Sequence, residues 1–159
     1  MSETRNMKHL QIVYHSQTCR TEALAYAVYR GACDPQIDGV TTRIARAAEA
    51  QLDELLWADA IVLGTPENFG YMSGAMKDFF DRTYYPAQGR IEGLPYALFV
   101  SAGNDGRGAV SAVQRIARGY PFKQVREALV VRGEPSAVHI AQCYEIGMAV
   151  AAGLELGVF

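Results

Sequence analysis

The stretch LQIVYHSQTCRTEALAYAVYRG, residues 10–31, contains the pattern that decides the fold. It begins with an apolar run at residues 10–14, which is typical of a buried strand. It ends with a segment, residues 21–31, in which apolar side chains recur every three or four positions and so share one face of a helix. A short polar segment joins the two. We therefore predict a strand, a loop and a helix in that order.

The same alternation continues along the chain. Further strands are predicted at residues 40–44, 60–64, 96–100 and 129–131, and further helices at 72–83, 110–120 and 136–156. The Gly-Thr-Pro sequence at 64–66 is expected to end the third strand, and Ser136 is a plausible N-cap of the last helix. Strands separated by helical segments predict a parallel sheet with helices on both faces. The fold class is therefore α/β, a doubly wound three-layer sandwich with five strands and about five helices.

Length and composition set the limits of this interpretation. The chain has 159 residues, 50% hydrophobic and 20% charged, with a formal net charge of −2. We predict a single domain over residues 1–159. The apolar content is too high for a disordered chain, and no unbroken apolar run approaches the ~18 residues of a membrane span. Acidic and basic residues are interspersed, which does not favour nucleic-acid binding.

Cysteine usage and the start of the chain bear on the compartment. Cys19, Cys33 and Cys143 form no CxxC pair and are odd in number, so we predict free thiols in a reducing environment. Residues 1–8 are polar and lack the apolar core of a signal peptide. We therefore expect a cytoplasmic protein.

Three loops are the candidate binding segments. In an open α/β sheet, ligands bind beyond the carboxyl ends of the strands, near the point where the strand order reverses. The predicted strands place residues 15–21, 65–73 and 101–108 there, and all three segments are rich in Ser, Thr, Asn and Gly.

The first of these loops has the residues of an anion site. Ser16, Thr18 and Thr21 place three hydroxyls before a helix whose first N–H groups and dipole favour negative charge. The chain lacks both G-x-G-x-x-G and G-x-x-x-x-G-K-[ST], so a pyrophosphate site of either kind is disfavoured. The loop suits a phosphomonoester, although a simple helix cap would use the same residues.

The other two loops suit a planar ligand. The second contains Pro66, a flexible Gly70 and the aromatic side chains of Phe69 and Tyr71. The third, residues 103–106, is a glycine-rich turn whose N–H groups can hydrogen-bond the edge of a heterocycle.

These segments resemble the flavodoxin-like superfamily, especially the NAD(P)H-dependent FMN reductases and the WrbA-type quinone oxidoreductases. Ser16, Thr18 and Thr21 match the family's S/T-x-T-x-x-T phosphate loop. Residues 64–82 are very similar to its second FMN loop and the helix that follows, which is the most specific match in the chain. The resemblance covers nearly the whole domain and implies a five-stranded parallel sheet of order 2-1-3-4-5.

The resemblance also implies an FMN site and its residues, with no catalytic side chain and no metal, because the flavin carries the chemistry. The phosphate would lie in the first loop and the isoalloxazine between the other two. The implied cofactor-binding residues are Ser16, Gln17, Thr18, Cys19, Arg20, Thr21, Pro66, Glu67, Asn68, Phe69, Gly70, Tyr71, Ser101, Ala102, Gly103, Asn104 and Gly106.

The chain departs from the family pattern in two places. Cys19-Arg20 replaces the usual Gly-Asn or Gly-His. We expect the Cβ of Cys19 to strain a loop adapted to glycine, and Arg20 to add positive charge near the phosphate. The chain also lacks the insertion that long-chain flavodoxins and WrbA-type enzymes carry after the fourth strand. We therefore expect any substrate pocket to be shallow or shared between subunits.

The function predicted from these features is an FMN-dependent NAD(P)H oxidoreductase. Its acceptor would be a small molecule such as a quinone, an azo or nitro compound, or free flavin, and a homodimer or higher homo-oligomer is expected. An electron carrier of the flavodoxin type is the alternative, disfavoured because such carriers use acidic surfaces. A flavin-binding interaction domain, suggested only by the oxidation-prone position of Cys19, is a third possibility.

Overall fold

A computed structural model describes residues 6–159, and the predicted polar start at residues 1–5 lies outside them. Residues 6–159 contain seven strands: β1 (Lys8–Tyr14), β2 (Val40–Arg46), β3 (Ala60–Asn68), β4 (Tyr71–Met72), β5 (Pro95–Ala102), β6 (Lys123–Gln124) and β7 (Leu129–Arg132). Five of them form the body of a parallel sheet, in the order β2-β1-β3-β5-β7. This confirms the predicted order 2-1-3-4-5. The predicted strand count was too low, because β4 and β6, of two residues each, extend the sheet.

Within the described part of the chain five helices accompany the strands: α1 (Arg20–Ala32), α2 (Leu52–Trp57), α3 (Gly74–Ala87), α4 (Arg107–Gly119) and α5 (Ala137–Leu156). Ser136 is the N-cap of α5, and its hydroxyl accepts a hydrogen bond from the N–H of His139. The predicted helices did not include α2, which spans only six residues. Its sequence signal is a capping box, in which the Glu54 carboxylate accepts a hydrogen bond from the N–H of Gln51 at 2.7 Å.

The third strand is longer than predicted, because β3 continues through Pro66 to Asn68. The carbonyl of Gly64 accepts a hydrogen bond from the N–H of His15, so the backbone groups of Gly64 point toward β1. Pro66 lies two residues further along the strand, so its backbone groups point to the same side. Pairing with β1 ends at Gly64, whereas pairing with β5 continues to Pro66. The missing donor of Pro66 therefore faces the side on which pairing with β1 has already ended. This is why proline is tolerated in this ladder.

Alternating side chains of the sheet build a core on each face. On one face α2, α3 and α4 pack over Val13, Leu63 and Val100. On the other face α1 and α5 pack over residues such as Leu10 and Phe99. This is the three-layer arrangement predicted from the alternating strands and helices.

Helix α5 is long and apolar enough, by length and composition, to cross a membrane. In this fold it packs along α1 and buries Cys143, Ile146 and Val150 among other residues. The core helix of a globular domain passes the same length and hydropathy test. Among the described residues no other helix passes it.

Candidate functional site

The strand order reverses between β1 and β3, and the three candidate loops meet there. From β1 the chain crosses to β2 on one side, and from β3 it crosses to β5 on the other. A cavity of about 140 Å³ lies where the loops converge. Ten of the predicted residues line it: Gln17, Thr18, Arg20, Thr21, Pro66, Glu67, Asn68, Ser101, Ala102 and Gly103.

The other seven predicted residues belong to the same loops but do not line this cavity. They are Ser16, Cys19, Phe69, Gly70, Tyr71, Asn104 and Gly106. The structure therefore brings the three loops together as predicted. Contact between FMN and any one of these residues stays a prediction.

The first loop has an unpaired polar atom suited to a phosphate oxygen. The Ser16 hydroxyl oxygen is buried and has no hydrogen-bond partner among the described residues. The first intrahelical bond of α1 joins the N–H of Ala23 to the carbonyl of Cys19 at 3.0 Å, so the N–H groups of the first turn remain available. A hydroxyl and a set of N–H groups at a helix start are the donors that a phosphate needs. The loop fits the phosphate of FMN on this ground.

Cys19 has the backbone conformation that glycine usually adopts. It is the residue before α1, it is exposed, and its φ of 69° places it in the left-handed region. This conformation bears out the strain expected from a Cβ at position 19. The Arg20 guanidinium donates to Glu134 at 2.7 and 3.0 Å, so its charge is shared with a carboxylate of the loop after β7. The prediction did not include this ion pair.

The second loop is a hairpin of β3 and β4. Asn68 pairs with Tyr71, and the two residues between them, Phe69 and Gly70, both have positive φ, 52° and 71°. Two-residue turns of this kind match the twist of the flanking strands, and Asn-Gly is their preferred sequence. The Phe69 side chain is fully exposed at 109% of its reference area. An aromatic side chain is therefore exposed to solvent directly after Asn68, which lines the cavity.

Buried hydroxyls hold the base of this hairpin. The Thr65 hydroxyl donates to the carbonyl of Pro66 at 2.9 Å and accepts from the N–H of Ser73 at 3.0 Å. The Ser73 hydroxyl then accepts from the N–H of Met76 at 3.1 Å and caps α3. Both side chains are fully buried. The hairpin is thus fixed to the start of α3, which holds Glu67 and Asn68 in place beside the cavity.

The third loop leads into α4 through closely packed glycines. Gly106 has a φ of 71°, and a Cβ there would come within 2.6 Å of the Val130 side chain. A Cβ at Gly108 would come within 1.8 Å of the carbonyl oxygen of Gly70. The start of α4 therefore rests directly on the hairpin turn. This contact joins the second and third loops into one wall.

A polar cluster behind the first loop was not predicted. The Tyr14 hydroxyl donates to Glu22 at 3.1 Å, and Arg46 donates to the same carboxylate oxygen at 2.5 Å. Burial and the hydrogen bond to Glu22 raise the pKa of Tyr14 to about 12. Burial, and then the charge of Arg46, lower the pKa of His15. The only sequence signal was an acidic residue in the first turn of α1, which ordinarily indicates no more than a favourable helix dipole.

The fold and the loop arrangement define a flavodoxin-like α/β domain with its candidate site at the β1/β3 switch point, where this fold binds FMN. The sequence matches the model of the NADPH-dependent FMN reductases over residues 13–136. The chain belongs to this family.

A curated relative of this chain is named a flavodoxin and not an FMN reductase. A flavodoxin of Aquifex aeolicus (strain VF5) is 33% identical over 102 residues, which are 64% of this chain and 54% of that protein. The chain thus matches about half the length of this curated relative.

Solved structures support the fold. A flavodoxin from the domain Archaea has a TM-score of 0.82 at 24% identity and covers 92% of this chain and 99% of its own. A WrbA-like protein from Agrobacterium tumefaciens has a TM-score of 0.72 at 22% identity, with 91% and 96% covered. The Flv1 flavodiiron core of Synechocystis sp. PCC6803 has a TM-score of 0.80 at 19% identity, and its match covers 98% of this chain but 38% of that one.

Proposed function

We propose that the protein is an FMN-dependent NAD(P)H oxidoreductase that reduces a small acceptor such as a quinone, an azo or nitro compound, or free flavin. The main support is that three loops converge on one cavity. The first loop, proposed to bind the phosphate, holds the unpartnered Ser16 oxygen, and the second is an exposed hairpin. Bound FMN would supply two-electron transfer between donor and acceptor. Membership of the NADPH-dependent FMN reductases supports the same reaction class.

The chain's own part in this function is binding and orientation. The hydroxyls of Ser16, Thr18 and Thr21 and the N–H groups at the start of α1 would hold the phosphate. Backbone groups of residues 66–71 would lie along one edge of the ring. The N–H groups of the 103–106 turn would stabilise negative charge at the other edge. Thr65 and Ser73 take part only by fixing the hairpin.

A carrier of the flavodoxin type is the second candidate. It is favoured by the archaeal flavodoxin, whose fold matches nearly the full length of both chains. The charges around the cavity argue against it, since Arg20 pairs with Glu134 and Arg107 lies 3.9 Å from Asp105. A carrier that docks on basic partners needs an acidic surface there instead.

Anaerobic reduction by NAD(P)H distinguishes the two candidates. The purified protein is reconstituted with FMN, mixed with NADH or NADPH without oxygen, and followed at the flavin absorbance band. A reductase is bleached rapidly, and its colour returns when a quinone is added. Flavin that stays oxidised with both nucleotides yet is reduced by dithionite would overturn the reductase and support the carrier. Failure to bind FMN would refute both.

Assembly and location are also proposals. A groove of about 330 Å³ between α3 and α4 contains Tyr84 and Ile116, and the neighbouring Tyr85 is 75% exposed. We propose that this face joins two copies of the chain in a cytoplasmic homo-oligomer. Sedimentation equilibrium tests the assembly, and a monomer at micromolar concentration would contradict it.

A further inference from the structure

The acidic side chain in the first turn of α1 is turned away from the start of its own helix. Glu22 is the third residue of α1, which follows the N-cap Cys19. Its carboxylate accepts hydrogen bonds from the Tyr14 hydroxyl at 3.1 Å and from the Arg46 guanidinium at 2.5 Å. The Cys19 side chain makes no capping hydrogen bond either. The N–H groups of this first turn therefore remain available for a ligand.

Two other helices of the chain show the conformation that this side chain avoids. In α2 the residue at the same position, Glu54, folds back and accepts a hydrogen bond from the N–H of the N-cap Gln51 at 2.7 Å. In α5 the ring Nδ1 of His139 accepts from the N–H of the N-cap Ser136 at 3.1 Å. A glutamate at the third position of a helix commonly makes this contact. Glu22 therefore has a ready partner in the free N–H of its own N-cap.

The start of α1 is also where the phosphate of FMN is proposed to bind. Arg20 and the buried Thr21 line the cavity, and the N–H groups of the same turn are the donors that an anion uses at a helix start. A Glu22 carboxylate folded onto these N–H groups would occupy one donor and place a negative charge beside a phosphate dianion. Two anions at one helix start repel each other, so this carboxylate competes with the phosphate for the same position.

Two donors at the edge of the sheet keep the carboxylate away from that position. Tyr14 and Arg46 are the last residues of β1 and β2, and they lie opposite each other in the sheet register. The guanidinium carbon of Arg46 lies 5.6 Å from the centroid of the Tyr14 ring. Burial raises the pKa of Tyr14 to about 12, so the hydroxyl keeps its proton and remains a donor. The sheet edge therefore offers Glu22 an alternative to the start of its own helix.

We propose that Arg46, together with Tyr14, is a positioning residue for the cofactor. It holds Glu22 away from the start of α1 and neutralises its charge, so that the phosphate group of FMN can bind there. This rests on the FMN site of the proposed function and not on the reductase reaction. The Arg46 and Glu22 side chains are 50% and 30% exposed, and an ion pair so exposed contributes little to folding stability. The effect of Arg46 therefore belongs to phosphate binding.

Flavin titrations with and without the phosphate group test this without turnover. FMN-free protein is titrated with FMN and with riboflavin, which lacks the phosphate, and flavin fluorescence is followed at pH 8, where His15 is neutral. We expect Arg46→Met to weaken FMN binding about three- to tenfold and to leave riboflavin binding unchanged. Adding Glu22→Ala to Arg46→Met should restore FMN binding, because the competing carboxylate is then absent.

Two single variants complete the test. Arg43→Met removes the same charge from the same strand, but the Arg43 guanidinium carbon lies 4.2 Å from the centroid of the Trp57 ring and not beside Glu22. It is the matched control and should bind both flavins as the wild type does. Glu22→Ala alone should bind FMN at least as tightly as the wild type, and it tests the inference even if Arg46→Met fails to fold.

Each result decides between the claims. Equal weakening of FMN and riboflavin by Arg46→Met would show a merely structural role and overturn the inference. The same follows if the double variant stays weak, if Arg43→Met loses as much affinity for FMN, or if Glu22→Ala alone weakens FMN binding. A wild-type protein that binds FMN no more tightly than riboflavin would overturn both the inference and the proposed phosphate position. The expected flavin selectivity without any oxidation of NAD(P)H would refute the reductase function alone.

Discussion

At the residue scale, the first candidate loop contains a side chain that its backbone conformation disfavours. Cys19 has a φ of 69°, a conformation that costs a non-glycine residue roughly 1–2 kcal/mol. A glycine at position 19 would recover only part of this cost, because glycine loses more backbone entropy on folding. We predict that Cys19→Gly raises the free energy of unfolding of FMN-free protein by up to about 1 kcal/mol. Urea denaturation measures this change, and fluorescence titration should show tighter FMN binding.

The other exposed cysteine provides the control. Cys33 follows α1 with a φ of −96°, which suits any L-residue. Cys33→Gly should therefore gain no stability and lose a few tenths of a kcal/mol or more, because the entropy cost remains and the hydrogen bond between its thiol and Tyr29 is lost. Equal stabilisation by both substitutions, or none by Cys19→Gly, would show that the positive φ is not the cause.

His15, beside the same loop, predicts a pH dependence. Burial and Arg46 lower its pKa below the usual 6.5, so the unfolded chain binds a proton more readily than the folded one. Its contribution to stability is therefore fully present above pH 6.5 and is lost as the pH falls through the lowered pKa. We predict that His15→Gln flattens the fall in unfolding free energy below pH 6.5. Denaturation curves measured from pH 7.5 to 4.5 test this, and a profile parallel to the wild type contradicts it.

At the scale of elements, α4 and the hairpin depend on each other. A Cβ added at Gly108 would lie only 1.8 Å from the carbonyl oxygen of Gly70. An alanine at this position must therefore displace the helix or the turn. We predict that Gly108→Ala costs about 1–3 kcal/mol of unfolding free energy. FMN affinity should fall as well, because the hairpin forms one wall of the site. Thermal unfolding and flavin titration measure the two effects.

Gly119, the last residue of α4, is the matched control, since no atom lies within 4 Å of a Cβ built there. Gly119→Ala should change the stability by no more than about 0.5 kcal/mol. If Gly108→Ala folded as stably as Gly119→Ala and bound FMN as well, α4 and the hairpin would not form a single wall.

The elements also show what the sequence can and cannot predict. Hydrophobic periodicity located the five main strands and four of the helices, because each buries one face against a core. It missed α2, which is too short to show a period. The Gly-Thr-Pro sequence predicted an end of the third strand at residue 64, whereas β3 continues to Asn68, because the side on which a proline's missing donor falls depends on tertiary pairing. The Arg20–Glu134 pair lies beyond sequence reasoning for the same reason, since 114 positions separate its members.

At the scale of the whole molecule, one face depends on two helices that approach very closely. Helix α5 is apolar almost all round, and its hydropathy alone does not distinguish a membrane span from a core helix. The backbone contacts of α5 identify it as a core helix within this fold. A Cβ at Gly31 of α1 would meet the carbonyl oxygen of Tyr144 at 1.9 Å, and one at Gly147 of α5 would meet that of Val28 at 1.8 Å. The two helices therefore touch backbone to backbone over the sheet.

This contact predicts a large effect from a single methyl group. Gly147→Ala must move α5 away from α1, because the atom in its way belongs to the backbone of Val28 and cannot rotate aside. We predict a loss of about 1–3 kcal/mol in unfolding free energy, with increased binding of a hydrophobic dye to the loosened face. The proposed flavin site lies at the carboxyl edge of the sheet, so FMN affinity should change less than in Gly108→Ala. Unchanged stability would mean that α5 is not held by this contact, and its apolar surface would then need another partner.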